Sequence, residues 1–279
     1  MMNIFGKKSR TIITQTIAYI ILTGAVLLVL LPIIWIFLTS LKSKSIVYRI
    51  PPVWLFKPKF QNYTALFSEY PFSKYFINSA LVGIITTALA TLFGSLAAYS
   101  ISRYNTGGNG LQGFILNSYT MPSVVVLIPM FMLMQVFGLI DSYIALIISY
   151  LSFLLPFNIW MLIGYFDGVS REIEEAAFVD GATKLQTLFY VTLPLAAPGI
   201  AATALLSFLL SWNEFIFALI LTGNKTRTLP IGIANFLTHR GVLMGELSAA
   251  TILTIGPVVI LAFSIRRYLV RGLSLGGIK

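Results

Sequence analysis

The chain has 279 residues, of which 57% are hydrophobic and 10% charged, with a mean hydropathy of +0.89. Ordinary soluble domains carry roughly 25% charged residues, so a water-soluble core is excluded and lipid must be the solvent for much of the surface. The net charge of +10 is scattered over junctions between apolar runs, which suits anionic headgroups rather than nucleic acid, and the lack of cysteine rules out disulfides and thiolate chemistry.

A spanning helix needs about 20 apolar residues. Six segments qualify, at 12–39, 76–101, 111–137, 143–165, 198–221 and 247–264. The expected fold class is therefore all-α, a polytopic membrane bundle of about six helices. The basic run Lys7, Lys8 and Arg10 is followed by an uncharged stretch from Thr11 to Leu41, too long for the 7–15-residue apolar part of a secretory signal, so it reads as a retained span.

The loop at 40–75 is rich in proline and aromatics and reads as an irregular outer cap with a short helix around 62–70. In the second span Ala90, Gly94 and Ala98 repeat at four-residue spacing, a flat strip for close helix packing. Pro122 and Pro129 predict a bend in the third span. The fourth span carries Asn158 and follows a turn, 138–142, that fits only a tight helical hairpin.

After it comes GVSREIEEAAFVDGATKLQTLFYVTLPLAAP, the most polar stretch of the chain. Ser170 is placed to cap a helix over 171–179, with Glu172 and Glu174 at its positive end. Gly181 then turns the chain, and helical composition resumes over 182–191 until Pro194 and Pro198. Three uses suit such a hairpin: an interfacial amphipathic helix, a lid on its own bundle, or a docking surface for another protein.

The fifth span contains SWNEF, 211–215. At about 1.5 Å per residue, Glu214 lies about 24 Å along a helix starting at Pro198. An acid in a span faces a polar interior or a partner, so Trp212, Asn213 and Glu214, with Asn158, form the candidate translocation pathway. Structural hydrogen bonding by Asn213 and Glu214 is the competing use. His239 falls in a polar loop and reads as a surface residue, and no metal cluster is expected.

Nothing in the chain drives transport by itself. There is no G-x-x-x-x-G-K-[ST] phosphate loop, and GGNG at 107–110 lacks the lysine and the hydroxyl. No H-E-x-x-H or nucleophile elbow occurs, so intrinsic catalysis is not expected. An ion-coupled secondary transporter is the alternative, though no internal repeat supports it and Glu214 is its one strongly placed acid. A membrane scaffold leaves SWNEF and the polar hairpin unexplained.

The hairpin resembles the "EAA" signature of permease subunits of binding-protein-dependent ABC importers. Glu175, Ala176, Ala177, Asp180, Gly181, Ala182, Leu193 and Pro194 carry the pattern. GLIDSYIALIISYLSFLLPFNIWMLIGYF before it and SWNEFIFALILT with TLPIG after it are similar to the carbohydrate-uptake branch, in particular the maltose and glycerol-3-phosphate type of second permease subunit. Many relatives have a proline just before the signature, where this chain has Ser170–Arg171.

The resemblance implies a type I ABC importer permease fold in a bacterial or archaeal inner membrane. It implies a second, different permease subunit, cytoplasmic ATPase subunits, an extracytoplasmic solute-binding protein, and a carbohydrate or polyol as solute. ATP is then used by the ATPase partners, and no cofactor is bound by this chain. Glu175, Ala176, Ala177, Asp180, Gly181, Leu193 and Pro194 become the coupling contact, with Arg171 and Lys184 as auxiliary contacts. The implied layout is a cytoplasmic tail over 1–11, a six-span permease domain over 12–265 with loop 166–197 on the ATPase side, and a cytoplasmic tail over 266–279. Basic residues at both ends favour that orientation, but six Lys or Arg between Lys42 and Lys74 sit in a loop it places outside.

Overall fold

The computed structural model describes residues 2–238 and 241–275, with side chains over 14–238 and 241–264. His239 and Arg240 lie outside the described residues. In chain order the helices are α1 (Met2–Ser40), α2 (Gln61–Ser68), α3 (Phe72–Tyr104), α4 (Gly108–Thr120), α5 (Ser123–Val136), α6 (Tyr143–Asp167) and α7 (Arg171–Val179). They continue with α8 (Lys184–Thr187), a π-helical turn (Leu188–Thr192), α9 (Leu193–Trp212), α10 (Ile216–Leu221), α11 (Leu229–Ala234) and α12 (Met244–Leu275). A two-residue antiparallel pair, β1 (Leu237–Thr238) with β2 (Gly241–Val242), is the one sheet among the described residues.

Five helical stretches among the described residues are long and apolar enough to span a membrane, and α4 and α5, which meet at a 90° bend, make a sixth only when the two are counted together as one broken span. The bend expected from the prolines is thus a full break. Pro122 forces Met121 into an extended conformation, ending α4, while Pro129 is accommodated inside α5.

The fifth span needs correction at both ends. Its helix runs unbroken from Lys184, inside the polar hairpin, to Trp212, not from Pro198 to Leu221. Pro194 falls in the first turn of α9, directly after the π turn, and Pro198 lies inside the helix, which a membrane helix tolerates.

Two units pack separately. The first comprises residues up to Tyr70 together with Phe236–Leu253. Asn62 in α2 ties the 40–75 loop together by donating to the carbonyls of Ser40 and Lys42, at 2.7 and 2.8 Å. Trp35 meets Trp54 edge to face, Lys42 lies 4.4 Å from the Trp35 ring, and Lys44 pairs with buried Glu246 at 3.0 Å.

In the second unit α3, α6 and α9 form the centre. Ala90, Gly94 and Ala98 are all buried, so the expected packing strip exists. One core cluster gathers Val82, Ala90, Leu146, Tyr150, Leu154 and Phe217. Another, next to α7, gathers Ala98, Tyr99, Leu162, Phe166, Leu188 and Ala196. Asn158 is fully buried between them. It donates to the Leu154 carbonyl and to Ser207 Oγ, both at 2.7 Å, and accepts from Thr91.

At the far end, Asp141 adopts a left-handed backbone (φ 59°) and its carboxylate gathers the chain after α10. It accepts from the amides of Gly223, Lys225 and Thr226 and from the Thr226 hydroxyl at 2.8 Å. Burial alone would push this carboxyl up, but the amides of Lys225, Gly223 and Thr226 and the Thr226 hydroxyl outweigh it and hold the group down at about 2.

Candidate functional site

Residues 168–194 form the polar hairpin, and each turn of it has a local cause. Ser170 accepts from the Glu172 amide at 3.3 Å and starts α7 at the expected residue. Glu172 and Glu174 then sit in its first turn, against the positive end of the helix. Gly181 ends it with φ +86°, its amide donating to Phe178 and that of Ala182 donating to Ala177 at 2.9 Å. Those two bonds make a Schellman cap, which satisfies carbonyls a helix end leaves free. Thr183 and Gln186 then start α8 with reciprocal side-chain-to-amide bonds.

The hairpin turns two kinds of surface outward. Of the signature residues, Glu175, Ala176, Asp180, Gly181 and Pro194 are exposed, while Ala177 and Leu193 are half-buried. Around them stand the apolar side chains of Ile173, Phe178, Leu185, Phe189 and Tyr190, and Val179 at 87% exposure. Contiguous exposed apolar surface with an acidic rim marks an interaction face. Arg171 and Lys184, expected as auxiliary contacts, are exposed and also touch α3. Arg171 donates to the Ser102 carbonyl at 3.2 Å, and Lys184 Nζ lies 4.5 Å from the Tyr104 ring.

The inward surface carries a residue that sequence reasoning left out of the site. Glu174 is 4% exposed and meets Arg103 of α3, Nε to Oε1, at 2.8 Å. The same guanidinium donates to the Val169 carbonyl at 2.9 Å. Thr192, inside the π turn, donates to Glu174 Oε1 at 2.9 Å, and Tyr99 donates to Oε2 at 3.5 Å. A π turn inserts one residue into the helical ladder, and here it presents Thr192 to α7.

The second candidate group is divided. Trp212 is 1% exposed and stacks on Phe208 and, edge to face, on Phe76. It ends α9, so SWNEF is a helix break and not the interior of a span. The apolar run through Leu221 hid the break from a hydropathy reading. Asn213 is exposed and donates to Leu209. Glu214 accepts from the amides of Phe217 and Ala218 at 2.9 and 3.1 Å, capping α10. Asn158 does not join them. Its partner Ser207 precedes the break by more than a helical turn.

Below Trp212 runs an apolar groove of about 920 Å³ between α3, α9 and α12, lined by Phe76, Leu92, Leu193, Phe208 and Pro257 among others. No group of His, Asp or Glu able to hold a metal occurs among the described residues.

Comparison with known proteins places this geometry. The family described as the binding-protein-dependent transport system inner membrane component matches residues 90–275. The chain is 36% identical over 263 residues to the sulfoquinovosyl glycerol transport system permease protein of Agrobacterium fabrum, covering 92% of each. It is 32% identical over 268 residues to the trehalose/maltose transport system permease protein of Thermococcus litoralis, covering 93% of this chain and 96% of that one. Among solved structures, a chain of a bacterial ABC transporter involved in the import of the acidic polysaccharide alginate aligns with a TM-score of 0.75 at 24% identity, over 92% of this chain and 96% of that one.

Proposed function

The chain belongs to the binding-protein-dependent transport system inner membrane components, and from that premise we propose that it forms half of an ATP-driven import pathway for a carbohydrate or related polyol. It is a multi-pass membrane permease with the all-α fold of type I ABC importers, a transport component and not an enzyme. The observation that carries the coupling role is the hairpin, with its signature residues and apolar side chains turned outward on a helix–turn–helix capped at both ends of the turn.

The partners in this reading are a cytoplasmic ATPase, which uses the ATP, a second permease subunit, and an extracytoplasmic solute-binding protein. Loop 166–197 and both termini then face the cytoplasm, with loop 40–75 outside. Glu175, Ala176, Ala177, Asp180 and Gly181 form the contact with the ATPase, and Leu193 and Pro194 lead from it into the membrane. The small alanines let the partner surface approach, and the exposed acids ring the contact. Relatives named for sulfoquinovosyl glycerol and trehalose/maltose support the solute class. Trp212, Asn213 and Glu214, at the break between α9 and α10, are the pathway candidates. Asn158 is assigned to bundle packing.

Affinity purification from the native membrane, with identification of the co-purifying chains and a solute screen on the associated binding protein, tests this. An ATPase and a second permease in stoichiometric amounts are expected. ATP hydrolysis by the isolated chain, or uptake driven by an ion gradient without ATP, would overturn it.

A further inference from the structure

We infer that Glu174 is the positioning residue that fastens the hairpin to two spans at once, delivering its displacement to α3 and α9 together. The inference rests on the coupling role proposed above. Glu174 stands one residue before the exposed Glu175 and has the opposite environment. Its carboxylate is buried, and Oε1 is shared by Arg103 from the end of α3 and Thr192 from the π turn that leads into α9. Arg103 also holds the Val169 carbonyl, at the exit of α6, and Tyr99 closes on Oε2.

This arrangement differs from simple packing in two respects. A buried carboxylate is costly to leave unpaired, so the hairpin cannot slide off α3 without breaking the ion pair and two further bonds, from Arg103 to the Val169 carbonyl and from Tyr99 to Oε2. The attachment point on α9 lies at Thr192, where the Leu193 amide reaches back five residues to Leu188. Thr192 Oγ1 divides its contact between Glu174 and the Thr187 carbonyl at 3.3 Å, so the carboxylate braces the irregular turn from outside the helix. Force applied to α7 therefore reaches α3 through Arg103 and α9 through Thr192, with no flexible loop between.

Because the chain has no native cysteine, single thiols report the movement directly. Leu185→Cys in the hairpin, Leu92→Cys in α3 and Leu210→Cys in α9, at positions 65%, 52% and 43% exposed, are each spin-labelled in the complex with its ATPase partner, and spectra are compared with and without ATP. In the otherwise unaltered chain all three labels respond. In Glu174→Gln the label at 185 still responds while the responses at 92 and 210 both fall at least fivefold. In Thr192→Val the response at 210 falls at least fivefold while those at 185 and 92 remain, and Thr192→Ser restores it. A response at 210 equal to that of the unaltered chain in both variants, or an unchanged response at 92 in Glu174→Gln, overturns the inference. Absence of any ATP response at 185 in the unaltered chain overturns the coupling reading itself, and the inference with it. Should Glu174→Gln fail to assemble, the Thr192→Val and Thr192→Ser pair decides at 210, since it leaves the ion pair in place.

Discussion

Gly94 of α3 lies so close to Asn158 of α6 that a β-carbon on the glycine would come within 2.7 Å of Asn158 Cβ and 3.5 Å of its backbone. The contact sits at the middle of the strip of Ala90, Gly94 and Ala98, and it fixes how near the two central helices run. With no hydrophobic drive between helices in lipid, such close approach is a main source of their association.

Gly94→Val should therefore force α3 and α6 apart, at a cost of about 1–3 kcal/mol for overpacking. Thermal unfolding of the detergent-purified chain checks it. A melting temperature equal to that of the unaltered chain would mean the helices separate without cost.

Asn158 and Ser207 should be energetically coupled. Interhelical hydrogen bonds in membranes average about 0.6 kcal/mol and reach about 1.7. A double-mutant cycle with Asn158→Ala and Ser207→Ala should fall in that range. Uptake by the folded single variants should stay close to normal, because Asn158 is enclosed between helices. A selective change in solute preference would return it to the pathway.

Gly181 poses a conformational problem and not a steric one. Nothing lies within 4 Å of where its β-carbon would be, yet its φ is +86°. Gly181→Val should cost about 1–2 kcal/mol for left-handed backbone and weaken capture of the ATPase partner in a pull-down, with insertion into the membrane unchanged. Gly181→Asn, a residue that tolerates this region, should retain most of the binding.

Glu214 separates capping from ion coupling. Glu214→Ala should destabilise the chain by about 1 kcal/mol through loss of the cap on α10. Glu214→Gln keeps an acceptor oxygen and should leave ATP-dependent uptake within about twofold, an amount worth about 0.4 kcal/mol. Loss of uptake in the amide variant, with normal assembly, would favour a role for the charge.

Asp141 gives an acid-sensitive contribution. Its folded carboxyl, near 2, lies below the ordinary value of 3.8, so its stabilisation is complete above about pH 4. It is lost as pH falls through the folded value. Asp141→Asn should melt at a lower temperature than the unaltered chain at pH 6, and the gap should close between pH 4 and pH 2.

The parts legible in the sequence were those set by local chemistry. Ser170, Gly181 and the acidic first turn define α7 within the chain itself, so its bounds of 171–179 coincide with the observed helix. Spans were legible from length and hydropathy, and Pro122 announced the break between α4 and α5. The end of α9 was not, because Phe215–Leu221 is as apolar as the span before it and continuity of hydropathy conceals a helix break. Glu174 was missed for a different reason. Three glutamates within four positions look alike until one of them meets an arginine 71 residues earlier in the chain. The one available signal was that α7 places Glu174 and Glu175 about 100° apart, so both could not share the docking face.

The π turn at Leu188–Thr192 has an evolutionary corollary. It holds one residue more than a regular α-helical path needs, so a single-residue deletion there would be absorbed as continuous helix without disturbing the apolar face of α9. Because the widened turn takes up the extra residue, the helix faces on either side would keep their directions, and what the deletion would change is the presentation of Thr192 to Glu174. Sequence length across this short segment is thus an inheritable means of making or breaking the brace, independent of the residues that cover the hairpin surface.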